Sequence, residues 1–104
     1  MKEAEQLKVL FMIVNAGFGE EVIELARRTG VKGATFLNAR GEGRRHESFM
    51  GITVDTEKEM ILCVTTEKTA EKVMAEVKKQ AGISTPAHSI CFTMPVDKTV
   101  GISR

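Results

Sequence analysis

The residues of this chain that could do chemistry are concentrated in one turn-rich segment, 41–51. It holds three glycines, two arginines and one of the two histidines of the chain: Gly41, Gly43, Gly51, Arg44, Arg45 and His46. Glycines let a backbone approach a ligand closely, and exposed N–H groups beside arginines form a concavity that binds anions. The segment predicts an anion-binding loop, but a solvated hairpin tip whose arginines only maintain solubility explains the same residues equally well.

Other candidate chemistry is sparse. His46 and His88 are candidate metal ligands, with Glu47 or Asp55 beside them, but their spacing is not that of a zinc site. His88 and Ser89 are adjacent in a predicted strand, where their side chains would point to opposite faces and could not form a nucleophile-and-base pair. We therefore predict neither a metal site nor an enzyme.

A second loop candidate precedes the last predicted strand. Ser84 and Thr85 could donate their hydroxyl groups to a phosphate. A turn in front of Pro86 explains them as well, and it is the favoured interpretation.

Composition excludes several classes of protein. Fifteen basic and fourteen acidic residues leave a net charge of +1, so no overall field attracts nucleic acid or an anionic membrane. No apolar run approaches the roughly 20 residues that span a bilayer, and the first residues lack a signal-peptide pattern. We expect a cytoplasmic protein with one domain, residues 1–104, without insertion into a membrane. Cys63 and Cys91 lie in apolar runs and should be buried, unreactive thiols.

The hydrophobic pattern predicts the element order βαββαβ. Apolar runs indicate strands at 7–14, 33–39, 59–65 and 89–96, and helical periodicity indicates helices at 18–29 and between Thr66 and Gly82. In each predicted helix, acidic residues lie near the start and basic residues lie near the end, an arrangement that the helix dipole favours. Two βαβ units in 104 residues predict an α+β fold, the ferredoxin-like sandwich, with a four-stranded antiparallel sheet and both helices on one face.

The strands are apolar on both faces. The runs 7–14, 60–64 and 90–92 hardly alternate with polar residues, whereas a sheet covered on one face should alternate. Because two helices cover one face only, further copies of the chain are the simplest cover for the other. A monomer would expose a large apolar patch and should aggregate. We therefore predict an oligomer that associates through the sheet.

Three sequence motifs resemble the PII nitrogen-regulatory signal-transduction family. They are the run 30–36 (GVKGATF), the run 41–44 (GEGR) and the last strand with its tail, 94–100 (MPVDKTV). The resemblance extends over nearly the whole chain in element order and spacing. It implies a homotrimer whose sheets line the centre and whose clefts between subunits bind adenine nucleotides, such as AMP, ADP, ATP or a cyclic nucleotide.

The resemblance also implies a set of site residues. Those implied to bind the ligand are Thr35, Gly41, Gly43, Arg44 and Val64. We add Ser84, Thr85 and His88, in the loop before the last strand, as further candidates for ligand binding. The loop 41–55 is implied to contact a regulated partner, which would be a membrane transporter or an enzyme. The candidate contact residues in this loop are Arg45, His46, Phe49 and Met50. Arg44 can offer a bidentate fork to a phosphate.

The chain departs from the family pattern at several positions. The family's glycine- and lysine-bearing phosphate loop is replaced by residues 87–90 (AHSI), and the paired arginines of its tail correspond to Gly101 and Ser103. Each lost charge-assisted hydrogen bond is worth roughly 1.5–3 kcal/mol, so we expect a ligand that carries less charge than ATP. The chain has no tyrosine, which excludes control by uridylylation of a loop tyrosine.

Two functions remain open from the sequence. The first is a ligand-sensing regulator whose loop 41–55 is ordered or released by a small molecule and docks on a partner protein. The second is a trimeric metal-binding or structural protein of the same fold, similar to the divalent-cation-tolerance proteins, without nucleotide sensing.

Overall fold

The computed structural model describes residues 6–41, 48–49, 52–53 and 56–102. Its elements are β1 (Leu7–Asn15), α1 (Gly19–Thr29), β2 (Thr35–Gly41), β3 (Ser48–Phe49), β4 (Ile52–Thr53), β5 (Thr56–Thr66), α2 (Glu67–Ala81) and β6 (Ile90–Pro95). The predicted order βαββαβ is confirmed by β1, α1, β2, β5, α2 and β6. The hairpin of β3 and β4 was not predicted, since strands of two residues leave no periodicity to detect.

The main sheet has the strand order β2-β5-β1-β6, and every neighbouring pair is antiparallel. Both helices pack on the same face, and their buried residues share one core with β1 and β5. This is the ferredoxin-like sandwich expected from the sequence. None of the helices in the described part of the chain is long and apolar enough to cross a membrane.

Three strands differ from the predicted ones in boundaries that matter for the site. β2 spans Thr35–Gly41 rather than 33–39. β5 begins at Thr56 rather than Glu59, because Glu57 and Lys58 pair with Arg40 and Ala39 of β2 despite their polarity. β6 begins at Ile90, so the prediction that His88 and Ser89 lie in the strand was wrong. Polar residues at a strand end can still satisfy their backbone groups in a ladder, which hydrophobic periodicity does not detect.

Local signals set the helix ends. The Thr66 hydroxyl accepts a hydrogen bond from the Thr69 N–H at 3.2 Å, as predicted for the cap of α2. Gly30 ends α1 with a φ of 125°, a conformation that favours glycine. At the start of α1, Phe18 offers no side-chain cap. Instead the Glu59 carboxylate accepts hydrogen bonds from the N–H groups of Gly17 and Gly19, at 3.0 and 2.8 Å.

The sheet has one buried and one open face, and both are apolar. In β1 the side chains of Leu10, Met12 and Val14 are buried beneath the helices. Phe11 alternates with them, lies between Leu62 and Phe92, and stacks on Phe92 with ring centroids 4.8 Å apart. On this open face the exposed large apolar residues are Leu37, Ile90, Phe92 and Met94. The pattern predicted from the strand sequences is therefore present in the fold.

Candidate functional site

The described residues that were predicted to bind a ligand fall into two groups at opposite ends of the sheet. Thr35 begins β2, opposite Leu62, whereas Gly41 ends β2, opposite Thr56. The strand between them spans roughly 20 Å. We call the end with Thr35 and Val64 the tail end, because residues 101–102 of the C-terminal tail reach it. The end with Gly41, Asn15 and the loop 82–89 is the loop end.

At the tail end, Thr35 and Val64 line the same cavity, which has a volume of about 330 Å³. Thr35 is exposed and Val64 is half-buried on the open face of β5. The tail closes one side of the cavity with Gly101 and Ile102. The Thr35 hydroxyl, the apolar side chain of Val64 and the backbone of the tail thus meet at one place, an arrangement that suits a planar or partly apolar small molecule.

A second cavity of about 370 Å³ adjoins the first and shares Lys32, Val64 and Ile102 with it. Lys32 lies in the connection between α1 and β2, and Lys68 and Lys72 lie in the first two turns of α2. Thr65, Thr66 and Thr69 also line this space. No sequence pattern groups these lysines, because Lys32 is far along the chain from Lys68 and Lys72 and no motif contains all three.

At the loop end, Asn15 connects three elements. Its side-chain amide donates to the Pro86 carbonyl oxygen at 2.9 Å, and its backbone N–H donates to the Ala87 carbonyl oxygen at 2.9 Å. Its side-chain oxygen accepts from Lys58 Nζ at 2.5 Å. Asn15 thereby joins the end of β1 to the loop 82–89 and to β5. The sequence contained one hint of this role, a polar residue directly after a buried apolar run.

Gly41 lies beneath the side chain of Lys58. A Cβ at position 41 would lie 3.2 Å from Lys58 Cγ and 3.3 Å from Lys58 Cε. Gly41 does not have a positive φ, so close packing rather than an unusual backbone conformation is what favours glycine here. Through Lys58 and Asn15, Gly41 is connected to the second predicted loop. The structure brings together these two parts of the predicted site.

The loop 82–89 is held by its own hydrogen bonds. The Thr85 hydroxyl donates to the Gly82 carbonyl oxygen at 2.8 Å, so Thr85 forms the turn that was the favoured interpretation. His88 Nδ1 donates to the Ile83 carbonyl oxygen at 2.9 Å, because a carbonyl oxygen can only accept. His88 also has a φ of 47°. Ser84 is exposed, and no hydrogen bond ties its hydroxyl to the described residues.

Several predicted residues lie outside the described part of the chain. They are the ligand-binding candidates Gly43 and Arg44 and the partner-binding candidates Arg45, His46 and Met50. Phe49 pairs with Ile52 in the hairpin of β3 and β4. The described ranges contain no group of three His, Cys, Asp or Glu side chains that could hold a metal ion. The candidates Glu47 and Asp55 fall outside those ranges.

Both cysteines are free thiols with raised pKa values. Cys63 is buried at 3% exposure, and its burial raises the pKa of the thiol to about 11. Burial likewise raises the pKa of Cys91 to about 11, and the neighbouring Cys63 adds to the rise. Cys91 is only half-buried, so the prediction of burial was right for Cys63 and too strong for Cys91. Low thiolate content suits packing residues rather than nucleophiles.

Comparison with protein families identifies one match. The model of the family described as nitrogen regulatory protein P-II matches residues 7–104. A comparison with curated proteins found no significant match.

Three solved structures have similar folds. A protein described as a PII-like signalling protein, from Thermus thermophilus, is 20% identical, with a TM-score of 0.68 and 88% of each chain covered. GlnK of B. subtilis, solved with ATP, is 18% identical with a TM-score of 0.69, over 93% of this chain and 90% of GlnK. CPII of Thiomonas intermedia, a nitrogen regulatory PII-like protein solved with ADP, AMP and bicarbonate, is 20% identical with a TM-score of 0.69, over 92% of this chain and 96% of CPII.

Proposed function

The chain belongs to the nitrogen regulatory protein P-II family, a family of regulatory proteins, and from this premise we propose its function. It is a cytoplasmic signal-transduction protein that forms a homotrimer. It senses an adenine nucleotide or a related anion in the clefts between subunits. Through the loop 41–55 it controls a partner protein, either a membrane transporter or an enzyme. It performs no catalysis of its own.

The observation that carries this proposal is the separation of the two ends of the sheet. Thr35 and Val64 lie at one end and Gly41 at the other, and the roughly 20 Å between them within one subunit exceed the reach of a single phosphate group. A ligand that contacts both groups must therefore take them from different subunits. This favours a cleft site in which the tail end of one subunit faces the loop end of its neighbour.

The open face of the sheet supports the oligomer. Phe92, Met94 and Ile90 are 41%, 52% and 53% exposed on that face, next to the half-buried Phe11 and Leu62. A contiguous apolar surface on a chain with 28% charged residues is typical of an interface between subunits. Three such faces around one axis would bury each other and would bring neighbouring sheet edges together.

The nature of the ligand follows from the family and from the structural relatives. GlnK was solved with ATP and CPII with ADP, AMP and bicarbonate, so adenine nucleotides and small anions are the ligands to test first. At the loop end, Arg44 follows β2 by three residues and is our candidate for the main cationic contact. The partner would contact Arg45, His46, Phe49 and Met50 in the same segment.

A subunit-mixing experiment tests the divided site. One variant, Thr35→Lys, blocks the tail end, and another, Arg44→Ala, weakens the loop end. Each should bind adenine nucleotide poorly by itself in isothermal titration. After unfolding and refolding as an equal mixture, random trimers should regain about a quarter of their clefts, those that combine both intact halves. If binding is not regained in verified mixed trimers, the site does not lie between subunits.

A further inference from the structure

Positive charge is concentrated at the tail end of the sheet. Lys32, Lys68 and Lys72 line one cavity of about 370 Å³, and none of the described residues that line it is acidic. The chain as a whole has a net charge of only +1. Three lysines that line one concave space give it a local positive potential, because the low-dielectric walls of a cleft focus the electric field.

These lysines are not engaged elsewhere in the described part of the chain. No ion pair joins Lys32, Lys68 or Lys72 to a described acidic residue. Lys79 provides the contrast on the same helix, since its ammonium group lies 3.7 Å from the Glu76 carboxylate. The α2 N-terminus adds the positive end of its dipole to the same region. The charges therefore remain available to an anion that enters the cavity.

The surroundings are suited to an anion as well. Thr65, Thr66 and Thr69 line the cavity between the lysines. The Thr66 hydroxyl donates to Thr69 Oγ1 at 3.1 Å, which leaves the Thr69 hydroxyl hydrogen free to be donated to a ligand oxygen. Lysine ammonium groups and threonine hydroxyls together are common partners of phosphate oxygens.

The position of the cavity relates it to the proposed effector site. It shares Lys32, Val64 and Ile102 with the cavity that contains Thr35. A molecule in the Thr35 cavity could extend its charged groups directly between the three lysines. At the other end of the sheet, the segment 87–90 contains no cation.

We propose that Lys32, Lys68 and Lys72 bind the terminal phosphate group of a nucleoside diphosphate whose nucleoside part occupies the adjoining Thr35 cavity. This assignment rests on the proposed function for the nucleoside, while the anion site can be tested separately. It adds charge recognition at the tail end, on side chains from α2 and the connection before β2, to the contact proposed for Arg44. A nucleoside monophosphate would reach fewer of these charges and should bind more weakly.

The test uses the full-length protein and isothermal titration with AMP, ADP and inorganic pyrophosphate. The variant K68Q/K72Q removes two charges from the cavity, and K78Q/K79Q removes two from the same helix outside it. We expect K68Q/K72Q to lose at least tenfold in affinity for ADP and pyrophosphate and less than threefold for AMP. We expect K78Q/K79Q to stay within twofold of the wild type for all three. The substitution in a third variant, K32Q, lies outside α2, and this variant should also lose affinity for ADP and pyrophosphate.

The outcomes separate this inference from the proposed function. If ADP and pyrophosphate bind K68Q/K72Q as tightly as the wild type, the lysine site is wrong although nucleotide sensing stands. If K68Q/K72Q loses affinity for pyrophosphate, but no adenine nucleotide binds the wild type more tightly than pyrophosphate does, the anion site stands and the proposed effector is wrong. If neither nucleotides nor pyrophosphate bind, both are wrong. Far-ultraviolet circular dichroism of each variant checks that the fold is retained.

Discussion

At the loop end of the sheet the polar side chains are bonded to one another, whereas at the tail end the charged side chains surround an open space. Lys58 is held by Asn15, and Asn15 is held to the loop 82–89. Glu59 is engaged with the start of α1. Lys32, Lys68 and Lys72 at the tail end have no comparable partners in the described part of the chain.

This difference indicates that the two ends of the sheet have different roles. Hydrogen bonds that are satisfied within the chain fix a loop in place but leave little capacity for a ligand. Free ammonium groups around a cavity stabilise nothing by themselves and gain interaction energy when an anion binds. The loop end therefore orients the segment that leads to the predicted partner-binding residues, and the tail end is a second candidate, beside Arg44, for recognition of charge.

The largest expected effect is on assembly, because the proposed site combines the two ends of different subunits. Phe92→Glu places a charge in the middle of the open apolar face, beside Phe11. A buried unpaired charge at an interface costs several kcal/mol, so we expect the trimer to dissociate at micromolar concentration and nucleotide binding to be lost with it. Sedimentation equilibrium measures the change.

Ile83→Glu is the matched control for assembly. Ile83 is 71% exposed in the loop 82–89, outside the sheet. The same change of charge there should leave the trimer intact. A wild-type protein that sediments as a stable monomer would contradict the divided site as a whole.

The second effect concerns the thiols, which report on packing near each end. Cys63 precedes Val64 at the tail end, and Cys91 follows Ile90 near the loop end. A pKa of about 11 leaves roughly 100-fold less thiolate at pH 8 than the ordinary thiol value of 9.0 would. Labelling of the native protein by iodoacetamide should be slow and should accelerate about tenfold per pH unit toward pH 11. The half-buried Cys91 should react before Cys63. Rapid labelling of both thiols at pH 8 without denaturant would disprove this packing.

The third effect tests the contribution of the loop end to ligand binding. Arg44→Ala should weaken binding of the best adenine nucleotide by roughly 1.5–3 kcal/mol, a ten- to hundredfold loss, with no change in the trimer. Gly41→Val should also weaken it, because a larger side chain would displace Lys58. Isothermal titration measures both variants.

Arg45→Ala is the control for Arg44→Ala. It removes the same charge from the adjacent position, but Arg45 is predicted to contact the partner rather than the ligand. Its nucleotide affinity should stay close to that of the wild type. Equal affinity of Arg44→Ala and the wild type would leave the lysines of the tail end as the main cationic contacts.

The smallest effect is on stability and concerns the hydrogen bonds of Asn15. Asn15→Ala removes the side-chain bonds to Lys58 and to the Pro86 carbonyl oxygen, and it should lower the free energy of unfolding by about 1–2 kcal/mol. Urea denaturation measures the loss. Asn38→Ala, at an exposed position in β2, should change stability by less than about 0.5 kcal/mol. Equal stability of both variants would show that the loop end does not depend on Asn15.

Much of the fold could be predicted because its signals are local. Apolar runs, the Thr66 cap and the Gly30 φ of 125° depend on residues that are neighbours in sequence. The apolar open face was also predictable. Successive residues of a strand point to opposite faces, so a strand that is apolar at successive positions is apolar on both faces. The polar ends of β5 and the short hairpin of β3 and β4 escaped prediction, because their pairing is decided by strands elsewhere in the chain.

The site was predictable only in part for a similar reason. Thr35, Gly41 and Arg44 were singled out as candidates because they lie in motifs that resemble a known family. Lys58 and Asn15 are 43 positions apart, and no spacing rule connects them. Their contact follows from the register of β1 and β5, in which Asn15 lies opposite Lys58.

The sequence by itself determined the order of elements, the Thr66 cap of α2, the apolar character of both sheet faces and the absence of cations from the segment 87–90. Each of these depends on residue type and on short-range periodicity, which the chain carries in any conformation. The tertiary structure alone decided that Asn15 lies opposite Lys58 and that Lys32 lines the same cavity as Lys68 and Lys72. Strand pairing and helix packing bring distant residues together, and the burial of a shared core rather than any local preference fixes their register.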